Sequence, residues 1–244
     1  MKDITDLLQQ MLDEITIRFA ARIKFWNVVL DIVEIQNVLG GLLARNCSLG
    51  IEFVLSPHFW NPLCSSVILR AMSEVIINMG WIALDPAARA KLFVDYGLGQ
   101  DKLDYEHLRA GNKSYTLPVD QLAEIADGLA AQRHLIFTDV NVGTWSSTSV
   151  SRMAAEAGLS DFAVMFAGAC GTVHSNWLLL HDRFVDEPPN DIPDVPDLMP
   201  VKSAYLCAVA TYLDKAFEIF DAVCDYPEQD EGLLLDLVYS YGST

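Results

Sequence analysis

The stretch NPLCSSVILRAMSEVIINMGWIAL, Asn61 to Leu84, decides the fold. Asn61 carries the short acceptor side chain of a helix N-cap, and Pro62 brings a fixed φ suited to the first helical position. The run stops before Asp85-Pro86, which repeats the same start signal. Between these points it is apolar almost all round, so it reads as a buried central helix rather than an amphipathic surface one. Its polar exceptions, Arg70, Glu74 and Asn78, fall at i, i+4 and i+8 and share one face. Charge inside a core helix is costly unless it is partnered. That face is therefore the most informative feature of the chain, and the spacing predicts a buried or half-buried Arg70–Glu74 ion pair.

Working outward toward the N-terminus, Ile4, Leu8, Met11, Ile15, Phe19 and Ile23 follow helical spacing, with Asp13, Glu14, Arg18 and Arg22 between them. The apolar stripe broadens through Trp26 to Val33. This predicts one long helix or two in series, ending near Gly40-Gly41 or Asn46. The aromatic, proline-flanked loop SPHFWNP that follows is expected to pack against the body of the protein.

Toward the C-terminus, Asp85-Pro86-Ala87-Ala88 starts a helix running to about Ala110, with a charged outer face. Further helices are predicted over 119–137, 150–157, and from Ser160 or Asp161 to about Phe184. Gly168 and Gly171 in the last of these would allow close approach of a neighbour. The segment DEPPNDIPDVPDLMP, 186–200, breaks all regularity and reads as an exposed acidic linker. Helices over 201–223 and about 228–241 complete the chain. There is no strand alternation and no internal repeat. The expected class is all-α, an irregular bundle of seven or eight helices. The expected organisation is a bundle over 1–185, a linker over 186–200, and C-terminal helices over 201–244 packing on the same bundle.

Composition narrows the function classes. The 244 residues contain 16 Lys and Arg against 33 Asp and Glu, a net charge of −17. Such a surface repels nucleic acid and anionic membranes, and it suits solubility or a basic protein partner. The five cysteines, Cys47, Cys64, Cys170, Cys207 and Cys224, are odd in number, lack C-x-x-C spacing and sit in apolar stretches. They read as reduced thiols of a cytoplasmic protein. The start MKDITDLLQQ has no signal-peptide architecture, and the most apolar runs are interrupted by charge, so no membrane span is expected.

Phosphate-loop, dinucleotide, zinc-protease and nucleophile-elbow motifs are all missing from the sequence. No cofactor is expected. What remains is Arg70 and Glu74 together with the late apolar helix, on which Cys170, His174, Trp177 and His181 fall at offsets 0, 4, 7 and 11. Cys170, His174 and His181 have the spacing of weak metal ligands, but no nearby carboxylate completes the set. Three readings of Arg70 and Glu74 stand side by side. They form an internal ion pair that fixes packing, or a polar pocket in which Arg70 anchors an anion and Glu74 or His174 acts in acid–base chemistry, or a partner-facing surface.

The sequences VILRAMSEVIINMGWIALDP, FVDYGLGQDKLDYEHL and AAEAGLSDFAVMFAGACGTVHSNWLLLHDRF together resemble an uncharacterised bacterial helical family, catalogued as a domain of unknown function. The matching positions are Leu69, Arg70, Glu74, Tyr96 and His174, and the resemblance covers about 61–185. Where the family pattern places a tyrosine and a serine before the histidine, this chain has Phe162 and Ala169-Cys170. The resemblance implies a helical domain and brings no activity. A looser likeness to HEPN-type helical ribonucleases stops at the fold, because no Arg-x(4–6)-His occurs on a long helix here.

Two functions are expected from these readings. The first is a cytoplasmic interaction or regulatory protein with a protein partner or a second copy of itself, in a bacterial stress or phage-defence setting. The alternative is a helical hydrolase or nuclease with a pocket around Arg70, Glu74 and His174.

Overall fold

The structure is a computed structural model. It describes residues 4–25, 33–109, 145–175, 202–227 and 233–242, with Gln121, Glu124 and Gly128 besides. Among the described residues there are eight α-helices and no strands, so the class is all-α as the periodicity predicts. The chain divides into two compact units, Met1–Leu84 with Val150–Thr244, and Asp85–Ser149.

In the larger unit, α1 spans Ile4–Phe25 and α2 spans Val33–Leu55. They are two helices, and α2 runs through Gly40-Gly41 and Asn46, the expected stopping points, to Leu55. Glycine disfavours a helix interior by only about 1 kcal/mol, and tertiary burial of Leu39, Leu42, Leu43, Phe53 and Val54 outweighs it. A short 3-10 turn, Pro57–Phe59, leads into α3, Pro62–Ala83. Of the loop expected to pack, the turn itself stays exposed at Pro57, His58 and Phe59, and the packing is carried by Trp60. Trp60 is buried, donates its indole N–H to the Phe53 carbonyl at 2.8 Å, and stacks on the Phe53 ring.

Helix α3 starts where the sequence places it: Asn61 Oδ1 accepts from the backbone N–H groups of Leu63 and Cys64 at 3.1 and 3.0 Å. It is the centre of this unit, packing against α2, α5 (Val150–Glu156), α6 (Ser160–Val173) and α7 (Tyr205–Cys224). Its second half, Val75 to Ile82, is buried without interruption. The last helix, α8 (Leu233–Gly242), lies against α1 and α7, so both C-terminal helices join the same unit as α1.

The close approaches shown are at Gly50 and Gly80, and Gly168 of the late helix is not at one. Gly168 has nothing within 4 Å of where a Cβ would stand. A Cβ on Gly50 of α2 would meet Leu213 of α7 at 2.8 Å, and one on Gly80 of α3 would run into the Leu159 side chain. Helix α6 is also shorter than its hydropathy predicts. It ends at Val173, with His174 as C-cap and Ser175 in a left-handed conformation at φ 50°. Thr172, Val173 and Ser175 are poor helix formers, which weakens this end.

In the smaller unit, α4 runs from Pro86 to Arg109 without a break at Gly97 or Gly99. Phe93 meets Trp145 edge-on at 4.9 Å, and Lys91 pairs with Asp95 one turn on at the surface. Of the helix expected over 119–137, Gln121, Glu124 and Gly128 are described, all helical. The acidic segment 186–200 lies outside the described residues.

Two helices among the described residues, over Glu34–Leu55 and Pro62–Ala83, are long and apolar enough to cross a membrane. In each, 56% of the apolar window is buried inside the protein, so more than half of that surface already serves the core.

Candidate functional site

The polar face of α3 does not form the predicted pair. Arg70 and Glu74 are both half-buried, and no ion pair joins them among the described residues. Arg70 instead reaches across to α6. Its Nε donates to Cys170 Sγ at 3.1 Å, and its guanidinium lies 5.0 Å from the centre of the Phe166 ring. Because the head of Arg70 keeps contact with solvent, it does not require a carboxylate, and a sulfur acceptor with an aromatic face is enough. Asn78, the third member of the face, is buried.

His174, expected near this pair, makes no hydrogen bond or ion pair with Arg70 or Glu74 among the described residues. The end of α6 at Val173 turns the chain away from helical geometry, and His174 is exposed at the cap. The continuous face through Cys170, His174, Trp177 and His181 therefore breaks after its first member, with Trp177 and His181 outside the described residues. Among the described residues, no three His, Cys, Asp or Glu side chains gather as a metal site would require. All five cysteines are free thiols.

Among the described residues, the buried charge lies elsewhere, between α1 and α7. On α1 the buried positions are Leu7, Met11, Ile15, Arg18 and Arg22. The inward stripe thus continues from apolar residues into two arginines at offsets of three and four. On α7, Asp214, Phe217 and Asp221 fall at i, i+3 and i+7, again one face. Arg22 grips Asp221 with both ends of its fork, Nε to Oδ1 at 2.6 Å and Nη2 to Oδ2 at 2.5 Å. Arg18 Nη1 pairs with Asp214 Oδ1 at 2.5 Å. Side-chain exposure is 1% and 5% in the first pair and 2% and 10% in the second, so both are desolvated.

Aromatic rings complete this layer. Phe217 lies under both guanidiniums, at 4.4 Å from Arg18 and 4.5 Å from Arg22, and Tyr226 faces Arg22 at 4.6 Å. Asp214 has a second task. It accepts from the backbone N–H groups of Leu235 at 3.0 Å and Leu234 at 3.4 Å, and so caps the start of α8. One carboxylate therefore ties α1, α7 and α8 together. Burial pushes the Cys47 thiol of α2 up to about 12, even though Arg22 and Arg18 act in the opposite direction. Burial, followed by the nearby Asp221 and Asp225 carboxylates, pushes Cys224 up to about 11.

Two clefts are lined by described residues of the larger unit, and neither lining includes Arg70, Glu74 or His174. One, of about 340 Å³, is lined by Leu7 of α1, Leu206 and Cys207 of α7, and Val238 and Tyr239 of α8 among others. The other, of about 300 Å³, lies between α6 and α7 and is lined by Asp161, Phe162, Met165, Ala208, Thr211 and Tyr212. Its floor is rigid: Phe162 packs on the Tyr212 ring at 5.1 Å, the Tyr212 hydroxyl hydrogen-bonds with buried Ser73 of α3 at 3.2 Å, and its carbonyl accepts from Asn46. Burial raises the Tyr212 phenol above its ordinary range, with the Ser73 contact acting against it. On α6, Val164 is 70% exposed and the cleft-lining Met165 48%.

A family model matches residues 36–192, and the chain belongs to that family, a family of unknown function (DUF5677). The match extends further toward the N-terminus than the resemblance read from the sequence, taking in α2 to α6. It includes Arg70, Cys170 and the α6 wall of the second cleft, while the α1–α7 charge layer and α8 fall outside it. No curated protein and no solved structure matches the chain.

Proposed function

We propose that this chain is a helical interaction protein that acts in the cytoplasm by binding a protein partner. The observation that carries the reading is the outer side of α6. The helix turns Phe166 and Cys170 to Arg70 of α3, yet leaves Val164 exposed and Met165 exposed along a cleft. Scattered exposed apolar residues are ordinary, but an exposed methionine lining an apolar recess, with an exposed valine next to it in sequence, suits a surface that is covered. The net charge of −17 favours a basic partner and steers its approach.

The hydrolase or nuclease reading draws less support. Arg70 is engaged by Cys170 and Phe166, Glu74 stands apart from it, and His174 is at an exposed helix end. The two readings separate in one experiment. A photo-crosslinking amino acid at position 164 in the living source cell should trap a partner that the same probe at Lys91 does not. Hydrolysis of RNA or of a model ester by the purified chain, lost in both Arg70→Ala and Glu74→Gln, would favour the enzyme instead.

A further inference from the structure

We infer that the cleft between α6 and α7 is the seat for a basic amphipathic helix of the partner, taken as two apolar anchors one turn apart with Lys or Arg beside them. The inference rests on the binding reading above and deepens it to an occupant.

The dimensions of the cleft set the first constraint. Its walls are Asp161 to Met165 on α6 and Ala208 to Tyr212 on α7, a single turn of each helix, or about 5.4 Å of rise. A recess one turn long between two helices takes one or two side chains of a third, presented at i and i+3 or i+4. Among the described residues this unit has no strand, so it offers no sheet edge to an extended peptide. A helix laid in the groove satisfies its own backbone and presents only side chains.

Chemistry sets the second constraint. Phe162, Met165, Ala208 and the Tyr212 ring give an apolar floor, and Met adapts its shape to an inserted side chain. Val164, next to Met165 in sequence, is itself exposed. Asp161, exposed in the first turn of α6, stands at one end of the cleft and makes no ion pair among the described residues. A cation one turn from an apolar anchor would reach it.

The charge of the whole chain fixes the sign of the occupant. With 33 acidic against 16 basic residues, a second copy of this chain meets its own repulsion, whereas a basic helix is attracted from a distance. A basic helix is therefore the occupant this surface complements.

Two synthetic probes test this on the full chain: a 16-residue Leu/Lys amphipathic helix and a Leu/Glu helix with the same apolar face, read by fluorescence anisotropy. The basic probe should bind and the acidic one should not, and affinity should fall as salt rises. Met165→Asp, at an exposed position, should weaken binding by about tenfold or more. Thr211→Trp, which fills the recess, should do the same, with melting temperatures unchanged in both. Asp161→Asn should cost only about two- to fivefold, as befits an exposed pair.

Binding of the basic probe that ignores Met165→Asp and Thr211→Trp would be unspecific charge attraction and would overturn the inference. So would a concentration-dependent dimer abolished by Met165→Asp, since the seat would then belong to a second copy. If neither probe binds while position 164 still crosslinks a partner in cells, the inference falls and the binding reading stands. If position 164 crosslinks nothing and neither probe binds, both fall.

Discussion

Two arginine-bearing contacts in this protein look alike in sequence and behave differently in space. In one, Arg22 of α1 is gripped by Asp221 of α7, some two hundred residues away. In the other, Arg70 of α3 bypasses Glu74, its neighbour one turn on, for Cys170 and Phe166 of α6. The difference is burial. At 1% exposure the Arg22 guanidinium has no water, so only a bidentate carboxylate, the Arg18 carbonyl and aromatic faces make its position tolerable. Arg70 is half-buried and stays solvated, so a nearby opposite charge brings it little. Helical spacing creates the opportunity for an ion pair, and desolvation decides whether the pair is needed.

The largest effect should come from removing one side of the buried layer. Arg22→Ala leaves Asp221 as an uncompensated buried charge and should cost about 3–5 kcal/mol. That corresponds to a fall in melting temperature of roughly 6–20 °C for a chain of this size. The double variant Arg22→Met with Asp221→Leu should recover much of the loss, because it removes both desolvation costs. A single variant that melts like the wild type would show that this layer is wet.

Cys47 probes the same layer by pH. Its folded thiol titrates near 12 against an ordinary 9.0, so below about pH 9 both folded and unfolded chains keep the proton. As pH rises from about 9 toward 12 the unfolded chain loses the proton first, and folding stability falls. By about pH 10.5 the loss attributable to this thiol should be on the order of 2 kcal/mol, read as the difference in pH dependence between the wild type and Cys47→Ala. At neutral pH, native Cys47 should resist alkylation while half-buried Cys170 reacts. Rapid labelling of Cys47 would mean that the layer opens.

The α3–α6 side should respond to shape rather than charge. Gly80→Ala pushes a methyl group against buried Leu159 and should cost about 1–3 kcal/mol by thermal melt. The movable end of the Leu159 side chain places the effect toward the lower figure. Arg70→Ala should cost less, about 1 kcal/mol or below, from lost contact with Phe166 and Cys170. Glu74→Gln should be close to neutral.

Much of the fold can be read from the sequence because its signals are local. Asn61-Pro62 starts α3 where the structure does, and the unbroken apolar run from Val75 to Ile82 announces burial. The charge layer is less legible because its partners are distant in sequence. Arg18 and Arg22 look like the polar side of an amphipathic helix whose stripe runs through Ile4, Phe19 and Ile23. In the structure Ile4 and Ile23 are 36% and 38% exposed while the arginines are buried.

One signal was present. Leu7, Met11 and Ile15 define a stripe whose next members, three and four residues on, are Arg18 and Arg22, and the apolar helix after residue 204 carries Asp214 and Asp221 on one face. The short α6 was illegible for a different reason. Its hydropathy continues past Val173, but a left-handed Ser175 ends the helix, and hydropathy does not encode that turn. The α6–α7 cleft was hidden because it depends on two helices meeting.

A pair of double-mutant cycles separates the desolvated contact from the solvated one. The first compares Arg22→Met and Asp221→Leu singly and together, the second Arg70→Met and Glu74→Leu, all by denaturant unfolding. The account predicts a coupling energy of about 2–3 kcal/mol for Arg22–Asp221 and one within about 0.5 kcal/mol of zero for Arg70–Glu74. Equal coupling in the two cycles, or the larger value at Arg70–Glu74, would contradict it.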